Sequence, residues 1–206
     1  MNLSDNPRKF DFSKKYILED DFVQLLPLIE AHIQPLSKIS DDTDIWTFFF
    51  ENGNTIDALS RYIISATDNR KFNKEYPFVI FDKITEQYVG TTRFYEYLPI
   101  FNTIKLGHTW YGKAFRSTGL NKRCKYLLFE FAFEKIGLER IGFGAMRDNI
   151  RSIAAMKSVG CKEEGVLRNM FPSRDGKGRT DAVLMSILKN EWYQSTKYQL
   201  KAKIDT

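Results

Sequence analysis

Cysteine and histidine are scarce in this sequence, which has two of each among its 206 residues. Two cysteines are too few for the disulfide framework of a small secreted protein. Together with the two histidines they also fall short of a structural zinc set. We therefore expect reduced, structural cysteines, no bound metal and a cytoplasmic protein.

Long apolar runs and compositionally biased segments are also missing. No run reaches the roughly 18 apolar residues that span a bilayer, and the opening MNLSDNPRKF lacks the apolar segment of a signal peptide. No repeat, low-complexity tract or Pro/Gly/Ser-rich linker divides the chain. We expect no membrane association and a single domain over residues 1–206, ending in a polar tail at 193–206 that is a frayed helix or disordered.

The chain does contain enough apolar material for a sizeable core. Hydrophobic residues make up 43% of it and aromatic residues 15%, so folding needs neither disulfides nor metal. The net charge of +5 indicates an acidic partner only weakly, because Lys and Arg are interleaved with Asp and Glu. Phosphates of a small molecule would serve as well as a nucleic acid, so a basic nucleic-acid-binding module is the weaker alternative.

The spacing of apolar residues predicts a mixed α/β fold. A strand at 16–20 precedes a predicted helix over 22–33, and a second helix over 54–71 has Asn54 as its cap. Short connections between the next three predicted strands indicate an antiparallel meander, at 76–83, 87–98 and 102–112. The remainder alternates as β-α-β-α-β-β: helix 119–136, strand 139–146, helix 150–160, strand 161–171 and strand 180–188.

A glycine at the start of one predicted helix is the first candidate for a binding site. In GKAFRSTGLNKRC, Gly119 can take a positive φ or let a ligand approach closely. The first N–H groups of the following helix lack partners within it, and together with the helix dipole and Arg116 they suit a phosphate. The alternative is that Gly119 merely starts a helix whose Lys122, Arg123 and Lys125 form a solvated face.

Two common phosphate-binding motifs are excluded. The sequence has no G-x-x-x-x-G-K-[ST], so it has no P-loop. GFGAMR at 142–147 contains G-x-G, but it lies within a predicted strand and lacks the third glycine. It therefore fails as a dinucleotide-binding fingerprint.

Two further segments, IKLGHTWYGKAFRSTG and MRDNIRSIAAMKSVGCKEEG, place a Trp-bearing strand before the glycine turn and Asn149 and Ser152 before the next helix. This arrangement resembles the GNAT superfamily of N-acetyltransferases. The closest resemblance is to its RimJ/RimL-like branch, which includes the acetyltransferases of ribosomal-protein N-termini. It spans about residues 14–192 in element order and is sharpest over 106–192. It implies a GNAT fold with helices on both faces of the sheet, and acetyl-CoA as co-substrate.

The resemblance also implies a set of coenzyme-binding residues. In the family's loop motif Q/R-x-x-G-x-G/A, Arg116, Gly119 and Asn121 stand at the marked positions, and asparagine at the third is a departure. Asn149 would contact the pantetheine arm. The backbone amides that would bind the pyrophosphate belong to Ser117, Thr118, Gly119, Leu120, Asn121 and Lys122. Those that would hold the acetyl carbonyl belong to the preceding strand, at Thr109, Trp110 and Tyr111.

The acid and the base of an acetyl transfer are less clearly marked. Many family members use tyrosines that are replaced here by Met156 and Met185. In the RimJ/RimL-like branch, the serine matched by Ser152 is the substitute acid near the thioester sulfur, although a first-turn serine is also an ordinary helix residue. His108 and Glu96 are the candidate bases, and a water chain without an essential base is the alternative.

The acceptor pocket, by the same resemblance, lies between residues 45–50 and the turn at 171–180. Trp46 and Phe48 are the predicted substrate-binding residues, although core packing is the more common role of aromatic side chains. The carboxylates of the DDTD segment at 41–44 would attract a cationic amine, or they are simply solvated.

The sequence therefore predicts a cytoplasmic, acetyl-CoA-dependent N-acetyltransferase. It would act on a primary amine of a small molecule or a protein N-terminus by direct attack on the thioester. No histidine lies beside Cys124 or Cys161, so an acetyl-cysteine intermediate is not expected. A non-catalytic acyl-CoA-binding or sensing protein is the alternative, and a homodimer is compatible with either.

Overall fold

An eight-stranded mixed sheet forms the centre of the computed structural model, which describes residues 9–174 and 176–205. The strands are β1 (Leu18–Glu19), β2 (Val23–Pro27), β3 (Glu75–Asp82), β4 (Gln87–Leu98), β5 (Thr103–Tyr111), β6 (Arg140–Met146), β7 (Lys162–Pro172) and β8 (Arg179–Leu188). Their order across the sheet is β1-β2-β3-β4-β5-β6-β8-β7. All neighbours are antiparallel except β5 and β6, which are parallel. The predicted mixed α/β sheet, a meander followed by β-α-β-α-β-β, is confirmed.

Helices cover both faces of this sheet. They are α1 (Ile33–Ser37), α2 (Thr43–Trp46), α3 (Ile56–Lys71), α4 (Leu120–Glu130), α5 (Ile150–Ser158), α6 (Lys189–Glu191) and α7 (Lys197–Ala202). α4 continues as a π-helix over Phe131–Ile136, and a second π-helical segment, Trp192–Thr196, joins α6 to α7. Across the described ranges, none of these helices is both long and apolar enough to cross a bilayer.

The sheet separates two hydrophobic cores. Because successive side chains of a strand point to opposite faces, Phe78 and Ile80 pack in the core that contains α4, while Val79 between them packs in the core that contains α3. We call these two sides the α4 face and the α3 face.

The predicted helix over 22–33 is wrong, because its first part is strand β2. Val23 and Leu25 are fully buried and alternate with less buried neighbours, which is the period of a strand. The Asp20 carboxylate accepts hydrogen bonds from the N–H groups of Phe22 and Val23, at 2.8 Å each. This turn joins β1 to β2 and sets their pairing.

Two smaller predictions also need correction. The helix expected over 54–71 forms as α3, but its cap is Thr55 rather than Asn54, with the Thr55 hydroxyl accepting from the N–H of Ala58 at 3.3 Å. The segment after residue 192 is neither frayed nor disordered through residue 205. It is helical to Ala202, and Leu200 and Ile204 are buried against the core.

Candidate active site

A gap opens in the sheet between its two parallel strands. β5 and β6 pair only from Thr103 with Arg140 to Lys105 with Gly142. Within the described residues, no ladder continues beyond that point, although the strands run on to Tyr111 and Met146. Residues 106–111 of β5 and 143–146 of β6 are therefore not paired with each other. We call the space between these two segments the gap. It lies at the carboxyl ends of adjacent parallel strands, a common ligand position in α/β sheets.

A bulge in β5 accounts for this divergence. Arg93 pairs with Gly107 and Thr91 with Trp110, so β5 has one more residue than β4 in this interval. His108 is the extra residue of the bulge, and its φ is 49°. Such a bulge bends and twists its strand, which turns the end of β5 away from β6. Alternate N–H groups of residues 106–111 then point into the gap rather than toward β4.

The N-terminus of α4 lies where β5 ends. Gly119 is its N-cap with φ of 88°, which confirms the predicted positive φ, and a Cβ at this position would meet no atom within 4 Å. Among the described groups, none bonds to the backbone N–H groups of residues 117–121. We call residues 117–121 the cradle. Its unpaired amides at a helix start, with open space above Gly119, are suited to an anion.

Arg116 is engaged beside the cradle rather than free. Its Nη2 lies 2.8 Å from the Asp42 carboxylate, and its Nε donates to the Tyr111 carbonyl at 3.2 Å. The pair is about four-fifths buried, so Arg116 ties the loop to the start of α2, and its charge is already neutralised. Asn121 is also held, since its Oδ1 accepts from the Tyr111 hydroxyl at 3.3 Å.

The basic residues of α4 do not form a solvated face. Arg123 bonds to Asp20 at 3.1 Å and its guanidinium stacks over the Phe22 ring at 3.8 Å. Lys125 is buried, and its Nζ donates to the Thr109 hydroxyl at 3.0 Å. The solvated-face alternative is therefore wrong for both residues.

Burial lowers the pKa of Lys125 to about 8, although the nearby Cys124 and Cys161 thiols act in the opposite direction. The sequence analysis missed this lysine as a site residue. Its signal is positional, because Leu128 and Phe129 follow it at the i+3 and i+4 spacing of a buried helix face.

Asn149 and Ser152 lie at the N-terminus of α5, directly after β6. The Asn149 side chain caps the helix by accepting from the Ser152 N–H at 3.0 Å. Because β5 and β6 are adjacent and parallel, the starts of α4 and α5 lie at the same edge of the sheet, on either side of the gap. The structure thus brings Asn149 and Ser152 to the same end of the molecule as the cradle.

The two candidate bases lie on the α3 face and have different surroundings. The His108 ring contacts Phe49 and Tyr95 at centroid distances of 6.3 and 5.3 Å, in a recess that solvent still reaches. Desolvation there and the Arg93 cation lower the pKa of His108 to about 3. The Glu96 carboxylate instead forms an exposed ion pair with Lys105 at 2.6 Å. The structure does not bring His108 and Glu96 together as a catalytic pair.

The predicted walls of the acceptor pocket do meet. The Arg174 guanidinium lies 4.8 Å from the centre of the Phe48 ring, and the rings of Phe50 and Phe171 are 5.4 Å apart. Trp46 is a core residue instead, with its indole N–H donating to the Ser40 carbonyl at 2.8 Å. A recess of about 340 Å³ adjoins this region, lined by Glu51, Asn52, Ala58, Arg61, Tyr62 and Ser65.

Three buried donors of one side-chain cluster on the α3 face have no partner among the described atoms. They are the Tyr62 hydroxyl, Arg93 Nη2 and Trp110 Nε1. All three belong to one ring cluster, because Arg93 stacks on Tyr62 at 4.6 Å and Trp46 contacts both Tyr62 and Trp110. Sequence reasoning missed Tyr62 and Arg93, which become neighbours only when α3 packs on β4.

Met156 and Met185 stand where many family members have tyrosines. Both methionines are buried in the core of the α4 face. The two cysteines are free thiols, and burial raises the pKa of each to about 12. A thiolate is the reactive form of cysteine, so neither residue is set up as a nucleophile.

Comparison with known proteins bears on the fold and the family. A family model described as an acetyltransferase (GNAT) domain matches residues 23–162. The Bacillus subtilis (strain 168) protein named "Probable N-acetyltransferase YjcK" is 24% identical over 115 residues, which are 55% of this chain. The match covers 63% of that relative, less than two thirds of its length.

Solved structures share the fold over nearly the whole chain. A GCN5-related N-acetyltransferase from Brucella melitensis is similar with a TM-score of 0.84 and 22% identity, covering 96% of this chain and 89% of that one. Mycobacterium smegmatis RimJ in complex with CoA-disulfide is similar with a TM-score of 0.75 and 19% identity, covering 91% and 93% of the two chains.

Proposed function

Because the chain belongs to the acetyltransferase (GNAT) family, we propose that it transfers an acetyl group from acetyl-CoA to a primary amine. The observation that carries this proposal is the gap between β5 and β6, which ends at the unpaired amides of the cradle. The two free cysteines are compatible with the proposed cytoplasmic location, where thiols remain reduced.

In this proposal the coenzyme's diphosphate binds to the cradle. The helix dipole contributes only about 0.3–1 kcal/mol, so several amides of residues 117–121 must bond to the phosphates together. Arg116 acts indirectly, because its ion pair with Asp42 fixes the loop that carries those amides. The pantetheine arm then follows the gap past Asn149.

The acetyl carbonyl accepts hydrogen bonds from amides of residues 109–111. A donor of this type typically lowers a reaction barrier by about 2.7–4 kcal/mol. The amine attacks the thioester directly, and the Ser152 hydroxyl lies near the sulfur. Ser152→Ala removes only this hydroxyl, because the capping bond uses the backbone N–H.

Removal of the amine's proton is assigned to water. The low pKa of His108 leaves its ring uncharged and weakly basic at neutral pH, and the carboxylate of Glu96 is occupied by Lys105. His108 is exposed to solvent, so water can reach the α3 face beside it.

The acceptor is proposed to carry oxygen atoms close to its amine, as an amino acid or a peptide N-terminus does. Buried donors require hydrogen-bond acceptors, and those of Tyr62, Arg93 and Trp110 lie on the acceptor side without one among the described residues. A polyamine offers no such oxygen. The likeness to RimJ supports placing the chain in the RimJ/RimL-like branch, with a protein N-terminus as one acceptor of this class.

An acceptor screen tests the proposal, with release of the free CoA thiol from acetyl-CoA as the readout. The panel contains amino acids, peptide N-termini, aminoglycosides and polyamines. We expect thiol release with at least one amino acid or peptide and none with polyamines. If acetyl-CoA protects the protein against thermal unfolding but no amine releases thiol, the non-catalytic acyl-CoA-binding alternative replaces the proposal.

A further inference from the structure

Lys125 is a buried cation without a counter-charge. It is 6% exposed, and within the described ranges it forms no ion pair and donates to one group, the Thr109 hydroxyl. An ammonium has three N–H donors, so two remain available. Burying an unpaired ammonium is unfavourable unless something else compensates. The residue therefore needs an explanation beyond packing.

The position of Lys125 places its Nζ at the gap. Thr109 belongs to the part of β5 that β6 does not cover, and its Oγ1 also lies 2.7 Å from that of Thr92. From the other side, the Cys161 thiol is close enough to affect the titration of Lys125. Cys161 follows the C-terminal end of α5, so the ammonium lies between β5 and that end of the helix.

We propose that Lys125 protonates the coenzyme sulfur when the thioester breaks. This role rests on the function proposed above. The amine nitrogen forms its bond to the acetyl carbon, and the carbon–sulfur bond breaks with its electron pair going to sulfur. A proton moves from Lys125 Nζ to that sulfur and gives the CoA thiol. The new amide releases its surplus proton to water, and Lys125 regains one from solvent after CoA leaves.

The surroundings of Lys125 suit this role. The Cys161 thiol, which influences Lys125, belongs to a residue held against the end of α5, because the Cys161 N–H bonds to the Met156 carbonyl at 3.1 Å. Met156, which stands where many family members have a tyrosine, lies in the same part of that helix. Its facing titratable groups are the Cys124 and Cys161 thiols, and its pKa of about 8 is close to that of an ordinary thiol, about 8.5.

Lys125→Met tests the proposal kinetically. We expect kcat to fall about 100-fold, the typical scale of general acid catalysis, with little change in KM for acetyl-CoA. In the wild-type enzyme kcat should decline as the pH rises through the lysine's pKa, and this basic limb should disappear in Lys125→Met and in Lys125→Arg. Ser152→Ala should retain the limb, because a serine hydroxyl does not titrate there. Lys135→Met, an exposed lysine on the continuation of α4, should leave kcat unchanged.

A second readout does not depend on turnover. The ultraviolet absorbance of the thiolate reports the ionisation of CoA bound to the protein. A neighbouring ammonium favours the thiolate, so we expect the thiol pKa of bound CoA to be lower by about one unit or more in the wild type than in Lys125→Met. If that variant does not fold, the wild-type complex decides alone, because a thiol pKa no lower than that of free CoA overturns the proposal.

The results separate the two proposals. Wild-type kcat with an unchanged basic limb in Lys125→Met overturns the role of Lys125 and leaves the proposed acetyl transfer intact. Absence of acetyl-CoA binding to the wild-type protein overturns both.

Discussion

On the α3 face of the sheet Arg93 is buried against a carboxylate, whereas on the α4 face Lys125 is buried against a hydroxyl. Arg93 Nη1 lies 2.6 Å from Glu75, and its guanidinium stacks on Tyr62. Within the part of the chain that the structure describes, the Lys125 ammonium bonds to the Thr109 hydroxyl alone. A buried charge with an internal partner is compensated within the fold, whereas a buried charge without one remains available to a ligand. The difference indicates that a ligand binds on the α4 face.

The backbone shows the same contrast. Within the sheet, β3 pairs with β4 along its whole length. At the start of α4, the amides of residues 117–121 and the open edge of β5 have no partner within the described chain. Unpaired backbone groups are rare in native proteins unless water or a ligand reaches them. The two faces can be tested separately by removing one charge at a time.

Glu75→Gln should have the largest effect on stability. Removing one partner of a buried pair leaves the other charge uncompensated, and we expect the free energy of unfolding to fall by about 3 kcal/mol. Glu96→Gln breaks the exposed pair with Lys105 and should cost less than about 1 kcal/mol. Chemical denaturation of both variants measures the difference. Equal losses would show that Arg93 does not depend on its carboxylate.

Lys125→Met should change stability in the opposite direction. The folded-state pKa of Lys125, about 8, lies below the ordinary value of 10.5. Between these pH values the unfolded state binds more protons, so the wild-type protein becomes more stable as the pH rises through the window. Below it, the full cost of burying the ammonium is present.

We therefore expect Lys125→Met to raise the free energy of unfolding of the ligand-free protein at pH 7 by about 1–3 kcal/mol. The gain should shrink toward pH 10.5. Denaturation across this pH range measures it, with Lys135→Met as the exposed control. A loss of stability at pH 7 would contradict the description of Lys125 as an unpaired buried charge.

Two substitutions at Asn149 distinguish its role as a helix cap from a role in coenzyme binding. Asn149→Ala removes the α5 cap and should cost about 1 kcal/mol of stability, while Asn149→Ser restores a capping oxygen. If the side-chain amide also contacts the pantetheine arm, both variants should bind acetyl-CoA more weakly than the wild type. Full recovery of affinity in Asn149→Ser would limit the residue to its structural role.

His108→Ala should have the smallest effect on the pH profile. Desolvation and the Arg93 cation lower the pKa of His108, so we do not expect its titration to produce the acidic limb of kcat/KM between pH 5 and 8. We expect this limb to remain in His108→Ala and in Glu96→Gln. Loss of the limb in either variant would identify a base and replace the water chain.

Much of the α4 face could be predicted from the sequence because its signals are local. Gly119 lies immediately before the helix it caps, and the apolar residues of that helix recur at helical spacing. Lys125 was missed because a lysine in a helix is normally solvated, and only tertiary packing buries it. β2 was read as a helix because five residues give too little periodicity to separate the two structures.

The α3 face depends on contacts that no local pattern reveals. Arg116 and Asp42 are 74 residues apart, so the sequence could not show that this arginine is already paired. Arg93 meets Tyr62 only when α3 packs on β4. The bulge at His108 is likewise invisible in the sequence, since it arises from the register between β4 and β5.

Calorimetric titration of acetyl-CoA against two glycine variants tests the central claim most directly. Gly119 and Gly137 have φ of 88° and 82°, and a Cβ at either would meet no atom within 4 Å. Alanine at either position therefore introduces similar backbone strain, but only the first lies in the cradle. We predict that the wild type and Gly137→Ala bind acetyl-CoA alike. Gly119→Ala should bind about 10–100-fold more weakly, because the added Cβ holds the diphosphate away from the amides and weakens about one hydrogen bond to a charged group. Equal affinity in all three proteins, or no binding by the wild type, would contradict a diphosphate site at the start of α4.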